Sequence, residues 1–238
     1  MTIKATKAFS FKQFSIQSGR SGMPVSTDGV MLGAWAQIES ARQILDIGTG
    51  TGLLALMCAQ RNPDAQICAI DIDHHAICAA QSNFNASPWS GRFRLLQGDI
   101  LSTELPDSFD AIICNPPYFT NGESAKAPAR AIARHADTLA HEPLLRRCQQ
   151  LLAPLGTASF ILPQVEGEAF IELAQNMGWS LRRRCEVRTT ATKPVSRLMF
   201  ELQHTAGECQ YQSLLIHDGA EYSEDFVALT RAFYLKMP

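Results

Sequence analysis

An apolar run, Gln43-Ile44-Leu45-Asp46-Ile47, breaks directly into Gly48-Thr49-Gly50-Thr51-Gly52 and then into a second apolar run from Leu53. Glycines at alternate positions let the backbone turn through conformations that a Cβ disfavours. A strand can therefore reverse at once into a helix packed back on it, the repeating unit of a parallel α/β sheet. The turn also brings the amide groups of the helix start to the carboxyl end of the strand, where an anionic group can bind. The spacing is D-x-G-x-G-x-G. A dinucleotide fingerprint requires G-x-G-x-x-G, and Leu53 stands where its third glycine belongs.

The chain downstream keeps alternating. The helix after the turn runs from Gly52 to Gln60 and is ended by Asn62-Pro63. A second strand, Gln66 to Asp71, leads to a helix from Asp73 to Asn85 with Asp73 as its N-cap. Strands follow at Arg92 to Gln97 and Phe109 to Cys114; the latter is a continuous apolar run, as expected where both sheet faces are covered. A helix at His141 to Leu152, a strand at Gly156 to Leu162 and a helix at Gly167 to Met177 complete the alternation. Leu181 to Thr189, Arg197 to Gln203 and Tyr211 to Ile216 then read as successive strands, with Ser223 to Leu235 a closing helix. Ahead of the sheet, Phe9, Phe11 and Phe14 suggest a small hairpin, and Ser26 to Ile38 a helix. The fold class expected is α/β: a doubly wound, mostly parallel, seven-stranded Rossmann-like sheet. Residues 1–40 form an N-terminal hairpin and helix, and residues 41–238 the core of a single domain.

With 238 residues and 46% hydrophobic content, the chain can bury a substantial core. No run reaches the roughly 18 uninterrupted apolar residues of a membrane span, and the lysine-bearing Met1 to Ser21 stretch lacks a signal-peptide core. A cytoplasmic, monomeric protein is expected. Seven scattered cysteines without a C-x-x-C pair read as free thiols of a reducing compartment, and six histidines without H-E-x-x-H spacing give no metal site. The net charge of -2 hides two basic segments. One holds Lys4, Lys7, Lys12 and Arg20 with no acid; the other, Ser180 to Phe200, holds six basic residues against Glu186. Alternation places Arg182, Arg184 and Arg188 opposite the apolar positions 181, 185 and 187, on a face expected to be wet. Such a patch permits contact with nucleic-acid phosphates.

Acids end three successive strands. Asp46 precedes the glycine turn. Asp71 is placed to accept from both hydroxyls of a ribose, and Asp99 from an adenine amino group; Ile72 and Ile100 follow them in the same cofactor-binding set. After the fourth strand comes Asn115-Pro116-Pro117-Tyr118, at the sheet edge where open α/β sheets bind ligands. The Asn115 side-chain oxygen and the Pro116 carbonyl can accept both hydrogens of a planar NH2 group, and Tyr118 offers a stacking face. As such a nitrogen attacks, its N–H bonds become more acidic, so these acceptors bind the transition state more tightly than the ground state. His135, in the loop beyond, is assigned no role. The glycine turn and the tetrad together point to transfer of a methyl group from S-adenosylmethionine to an exocyclic amine or amide.

On these residues the chain resembles the class I S-adenosylmethionine-dependent methyltransferases with an N-P-P-Y tetrad. It more narrowly resembles the bacterial tRNA1(Val) adenine-N6 methyltransferases, which modify adenosine 37, immediately 3′ of the anticodon. Phe9-Ser10-Phe11-Lys12-Gln13-Phe14, the segment from Ser26 to Trp35, and Ala232-Phe233-Tyr234-Leu235 support the narrower match. The resemblance implies that Asp46, Gly48, Gly50 and Gly52 form the donor loop, with Asp71 on the ribose and Asp99 on the adenine. It makes Asn115, Pro116, Pro117 and Tyr118 the acceptor-amine site. Asp28 then lies near the donor ammonium or caps a helix. The substrate is a tRNA whose stem phosphates meet Lys12 and Arg20 on one side and Arg182, Arg184, Arg188 and Lys193 on another. A glutamine-N5 methyltransferase acting on a release factor would use the same planar NH2 geometry, but that family carries a helical domain ahead of its catalytic part. A DNA adenine methyltransferase would need a target-recognition region, for which the chain has little room. An oxidoreductase could use the turn and Asp71 for NAD, and a non-catalytic RNA-binding module would have no use for the tetrad.

Overall fold

The computed structural model describes residues 8–17, 25–105, 108–116 and 141–237. It begins with the expected hairpin, β1 (Phe9–Ser10) and β2 (Ser15–Ile16), followed by α1 (Thr27–Trp35). Then come β3 (Gln43–Ile47), α2 (Leu53–Arg61), β4 (Gln66–Asp71), α3 (His74–Ala86), β5 (Phe93–Gln97) and β6 (Phe109–Cys114). Helix α4 covers residues 141–151 and runs straight into β7 (Leu152–Pro163). The chain closes with α5 (Gln164–Asn176), β8 (Ser180–Arg188), β9 (Val195–Gln203), β10 (Gln210–Leu215), a short hairpin of β11 (His217–Asp218) and β12 (Glu221–Tyr222), and α6 (Glu224–Thr230).

Among the described residues the central sheet has eight strands in the order β10-β8-β9-β7-β6-β3-β4-β5, one more than the seven expected. The eighth is β10, the strand read at Tyr211 to Ile216, which adds to β8 in parallel. Only β9 runs against the others, paired with β7 and β8. The carboxyl ends of β3, β4, β5, β6, β7, β8 and β10 therefore share one edge. Apolar alternation fills both faces. Ile44, Ile113, Ile161 and Met199 pack with α1, α2 and α6, while Leu45, Ile112, Phe160 and Phe200 pack with α4 and α5. On the second face Phe160, Phe170 and Phe200 lie with ring centroids 4.9 to 5.6 Å apart. Each such fully buried side chain contributes about 1.5–3 kcal/mol.

Besides shifts of a few residues at other ends, two boundaries and one surface differ from the expected ones for physical reasons. β7 starts at Leu152 rather than Gly156, because Leu152 pairs with Phe109 before an irregularity brings Thr157 opposite Ala111. α6 ends at Thr230 rather than Leu235: turns after it carry Tyr234 back to bridge Phe11, closing the end of the chain on the N-terminal hairpin. The surface is that of β8, whose basic face is only partly open to water, with Arg182, Arg184 and Arg188 all half-buried. α5 covers it, and its Glu168 grips Arg184 through two bonds of 2.7 and 2.6 Å. On the other face, Arg183 is buried among apolar neighbours, 3.1 Å from Glu201 and 4.1 Å from the centroid of the Trp35 ring.

All seven cysteines are free, and five are buried. Burial pushes the Cys58 and Cys148 thiols up to about 12, so they are inert packing groups. Among the described residues no helix is long and apolar enough to cross a membrane.

Candidate active site

Sheet register puts the separated motifs at one place. Ile47 is opposite both Ile70 and Cys114, and Asp71 is opposite Gln97. The next residues, Gly48, Asp71, Gly98-Asp99 and Asn115, thus emerge side by side at the carboxyl edge. Pro117, Tyr118, His135 and Arg20 lie outside the described residues.

The glycine turn is built as a cradle. Gly48, Gly50 and Gly52 have φ of 68°, 56° and 85°. The Gly48 and Thr49 amides donate to the Ile70 carbonyl at 2.9 and 3.0 Å, and the Gly50 amide to Asp71 Oδ2 at 2.8 Å. A Cβ at Gly48 would meet nothing within 4 Å, and one at Gly50 only the Gly48 carbonyl at 4.0 Å. These two glycines leave open space above the sheet edge. Gly52 faces inward instead, where a Cβ would stand 2.4 Å from Phe84 Cε1. Its smallness lets α3 pack beneath the turn.

Asp46 lies under that turn, fully buried. Its Oδ2 accepts from Thr49 Oγ1 at 2.6 Å and from the Ala55 amide at 3.1 Å, pinning the turn and the first turn of α2 together. Its Oδ1 is buried without a hydrogen-bond partner. Burial pushes its carboxyl up to about 7; the bonds from Thr49 and Ala55 oppose the rise, and the nearby Asp71 charge adds to it. Asn83, which sequence pattern did not flag, holds the turn from the other side. Its Nδ2 donates to the Thr51 carbonyl at 2.8 Å and to the Gln17 carbonyl at 3.0 Å, while its Oδ1 accepts from the Gln17 amide at 2.9 Å.

Asp71 accepts one backbone amide on each oxygen, from Gly50 and from Asp73 at 2.9 Å, and each oxygen keeps acceptor capacity for a ribose hydroxyl. Asp73 caps α3 as expected, accepting from the His75 amide. Ile72 is 69% exposed, an apolar surface beside Asp71. Asp99 is exposed and uses Oδ1 to accept from the Leu101 amide at 2.9 Å. Ile100 packs partly against the core, and its carbonyl, with that of Thr103, receives the Arg147 guanidinium at 3.1 and 2.9 Å. Arg147, another residue without a sequence signal, thereby fixes the turn that carries Asp99.

Asn115 follows the last residue of β6, and Pro116 is buried behind it. Asn115 Oδ1 is enclosed and has no hydrogen-bond partner. A desolvated acceptor left in this way is costly unless something arrives to donate to it.

Asp28 does not cap α1; Ser26 does, accepting from the Gly29 amide at 3.0 Å. Asp28 instead pairs with Arg197 Nε at 2.7 Å. The basic residues expected to meet RNA are dispersed. Lys12 donates to the Met237 carbonyl at 2.9 Å and helps anchor the end of the chain. Arg184 is held by Glu168 and Glu186. Arg182 lines a cavity at the opposite edge of the sheet, with Asp110 and Gly156. Arg188, at the end of β8, and Lys193, exposed in the turn that follows, remain at the carboxyl edge, although Arg188 lies 3.2 Å from Glu186.

Comparison with known proteins agrees with this geometry. The family model described as "Methyltransferase small domain" matches residues 30–145. A tRNA1(Val) (adenine(37)-N6)-methyltransferase of Vibrio campbellii is 58% identical over 98% of this chain and 97% of its own length. One from Vibrio vulnificus strain YJ016 is 57% identical with the same coverage, and one from Aliivibrio fischeri strain ES114 is 52% identical over 98% of this chain and 99% of its own. Among solved structures, a methyltransferase from Pyrococcus furiosus superposes with a TM-score of 0.59 at 20% identity, covering 81% of this chain and 90% of the other. A protein described as a predicted O-methyltransferase from Agrobacterium tumefaciens gives 0.68 at 16% identity, covering 87% and 96%. These structural likenesses concern the fold.

Proposed function

We propose that this chain, which belongs to the family of tRNA1(Val) (adenine(37)-N6)-methyltransferases, transfers the methyl group of S-adenosylmethionine to N6 of adenosine 37 in tRNA1(Val). The observation that carries the reading is the Asn115 carboxamide oxygen, a buried acceptor without a partner one residue beyond β6, beside the glycine turn.

The residues present fit the methyl donor. Gly48 and Gly50 leave space over the turn, Asp71 retains acceptor capacity for ribose hydroxyls, and Asp99 has a second oxygen for an adenine amino group. Ile72 offers an exposed apolar surface to a base, and Asp46 Oδ1 is an unmatched acceptor for a donor ammonium group. S-adenosylmethionine supplies a methyl group on a positively charged sulfur, electrophilic enough that no activating base is required. The chain's task is alignment. Asn115 Oδ1 and the Pro116 carbonyl accept the two N–H bonds of the adenine amino group and hold its lone pair out of conjugation with the ring. Both acceptors strengthen as the nitrogen gains positive charge, which favours the transition state over the bound substrate.

An anticodon-loop adenosine suits such a site because it is not locked in a duplex, so presenting it costs less than extracting a paired base. The reading places the protein in the cytoplasm, whose reducing conditions match seven free thiols. The test is to incubate the protein with labelled donor and total tRNA, digest the product, and locate the modified nucleoside. N6-methyladenosine at the single position 3′ of the anticodon is expected. Methylation at another tRNA position, or of a protein glutamine, overturns the reading.

A further inference from the structure

The turn that carries Asp99 is gripped from outside by a side chain that the methyl transfer does not call on. Half-buried Arg147 reaches it from α4 with a two-pronged hold: Nε donates to the Ile100 carbonyl at 3.1 Å and Nη2 to the Thr103 carbonyl at 2.9 Å. A third bond runs from Nη1 to Gln150 Oε1 at 3.2 Å. All three acceptors are neutral, and two of them are backbone carbonyls of the one turn. The fold has other means of holding both parts. The Ser102 and Thr103 amides already close the turn on the Asp99 carbonyl at 3.1 and 2.8 Å, and Leu145, Cys148 and Leu151 seat α4 in the core.

What the grip adds follows from the peptide plane. The Ile100 carbonyl belongs to the same planar trans unit as the Leu101 N–H, so the two point in opposite directions. Arg147 takes the carbonyl on one side, and on the other the Leu101 amide donates to Asp99 Oδ1 at 2.9 Å. One peptide unit thus joins a guanidinium to a carboxylate. A cation on the carbonyl polarises that unit and strengthens the bond its N–H donates, as along any hydrogen-bond chain. The exposed Asp99 carboxyl is thereby oriented through Oδ1, and Oδ2 is left for a ligand.

We infer that Arg147 is a positioning residue for the methyl donor: acting through the Ile100–Leu101 peptide, it presents the Asp99 carboxylate to the exocyclic amino group of the donor's adenine and so makes the site selective for a 6-aminopurine. The inference rests on the reading of Asp99 as the adenine acid. It assigns Arg147 no step of the transfer itself. An oriented carboxylate only accepts, so it favours a base that carries N–H donors and gives nothing to a purine without them.

The test is calorimetry on the full chain with two probes: S-adenosylhomocysteine, which is the donor without its methyl group, and the counterpart in which unsubstituted purine replaces adenine. The wild-type protein should bind the first about tenfold more tightly, the yield of one hydrogen bond to a charged acceptor. Arg147→Met keeps an apolar stem without the fork; it should lower affinity for S-adenosylhomocysteine about fivefold to tenfold and leave the purine counterpart within about twofold. Asp99→Ala should do the same, and adding Arg147→Met to it should bring no further loss. Turnover of Arg147→Met at saturating donor should match the wild type. Thermal melts check folding, and if Arg147→Met does not fold, Arg147→Lys, whose ammonium cannot span both carbonyls, carries the same comparison. Equal loss for both probes, or losses that add in the double variant, overturns the role and leaves Arg147 a staple of the turn. If Asp99→Ala itself does not distinguish the probes, the adenine assignment fails and this role with it, while the methylation of tRNA is judged separately by its product.

Discussion

Two glycines of the turn, Gly48 and Gly52, should be separable by experiment, because the structure gives them different work. Gly52→Ala places a Cβ at φ 85°, 2.4 Å from Phe84 Cε1 and 3.0 Å from Cζ. The left-handed backbone alone costs an L-residue about 1–2 kcal/mol. Phe84 cannot swing aside, since it is 1% exposed and stacked on Phe93 with centroids 4.1 Å apart, so overpacking adds about 1–3 kcal/mol. A total near 2–5 kcal/mol would show as a lower urea midpoint at constant m-value. Gly48→Ala at φ 68° meets nothing within 4 Å and carries only the backbone strain, about 1–2 kcal/mol, but its methyl group occupies the open space above the sheet edge. Calorimetry should therefore find donor affinity lost mainly in Gly48→Ala, and urea unfolding should find stability lost mainly in Gly52→Ala. Adding Phe84→Leu to Gly52→Ala should cost less than the two single losses summed. Equal destabilisation by both alanines, or a fully additive Phe84 cycle, would refute this division of roles.

Asn115→Ala should cut turnover about 100-fold or more with donor affinity kept, by analogy with loss of one preorganised transition-state hydrogen bond, whereas Asp71→Ala should chiefly weaken donor binding in calorimetry. Equal loss of donor affinity in both would count against the assignment. Asp46, pushed up from 3.8 to about 7 by burial, binds a proton in the folded state that the unfolded chain has released. Stability should fall as pH rises through that window, by up to about 4 kcal/mol, and the slope of urea midpoint against pH should flatten in Asp46→Asn. Donor affinity should move the opposite way, rising toward pH 7 as the carboxylate forms to meet the donor ammonium. Arg184→Ala should lower stability by about 1–2 kcal/mol, discounted because Glu168 is 45% exposed, and should leave the salt dependence of tRNA binding unchanged. Lys193→Glu, by contrast, should weaken tRNA binding and reduce its salt slope in filter-binding titrations.

These contrasts mark what a sequence can express. The convergence of these residues at one edge was legible because each is punctuated locally: glycines where the chain must turn, Asp71 and Asp99 where apolar strands stop, Asn115 where β6 meets prolines. Parallel register then carries every such stop to the same edge, so local signals become one site without any long-range inference. The basic face of β8 failed on the other kind of information. Period two states which residues share a face and says nothing of what covers it, and Glu168 of α5 lies far from Arg184 in any local pattern. Arg183 was hidden for the same reason, since its partners Trp35 and Glu201 come from α1 and β9. Asn83 and Arg147 act through backbone carbonyls, which leave no residue-type signature at the receiving end. The functional consequence is specific. With Arg184 held by acids, Arg182 at the far edge and Lys12 tied to Met237, the described carboxyl edge keeps only Arg188 and Lys193 of the basic residues expected to meet RNA. Two charges can hold a strand but cannot choose it. Choice of RNA must then come from groups that read bases, and at this edge the proposed one is Asn115, whose enclosed Oδ1 has no partner.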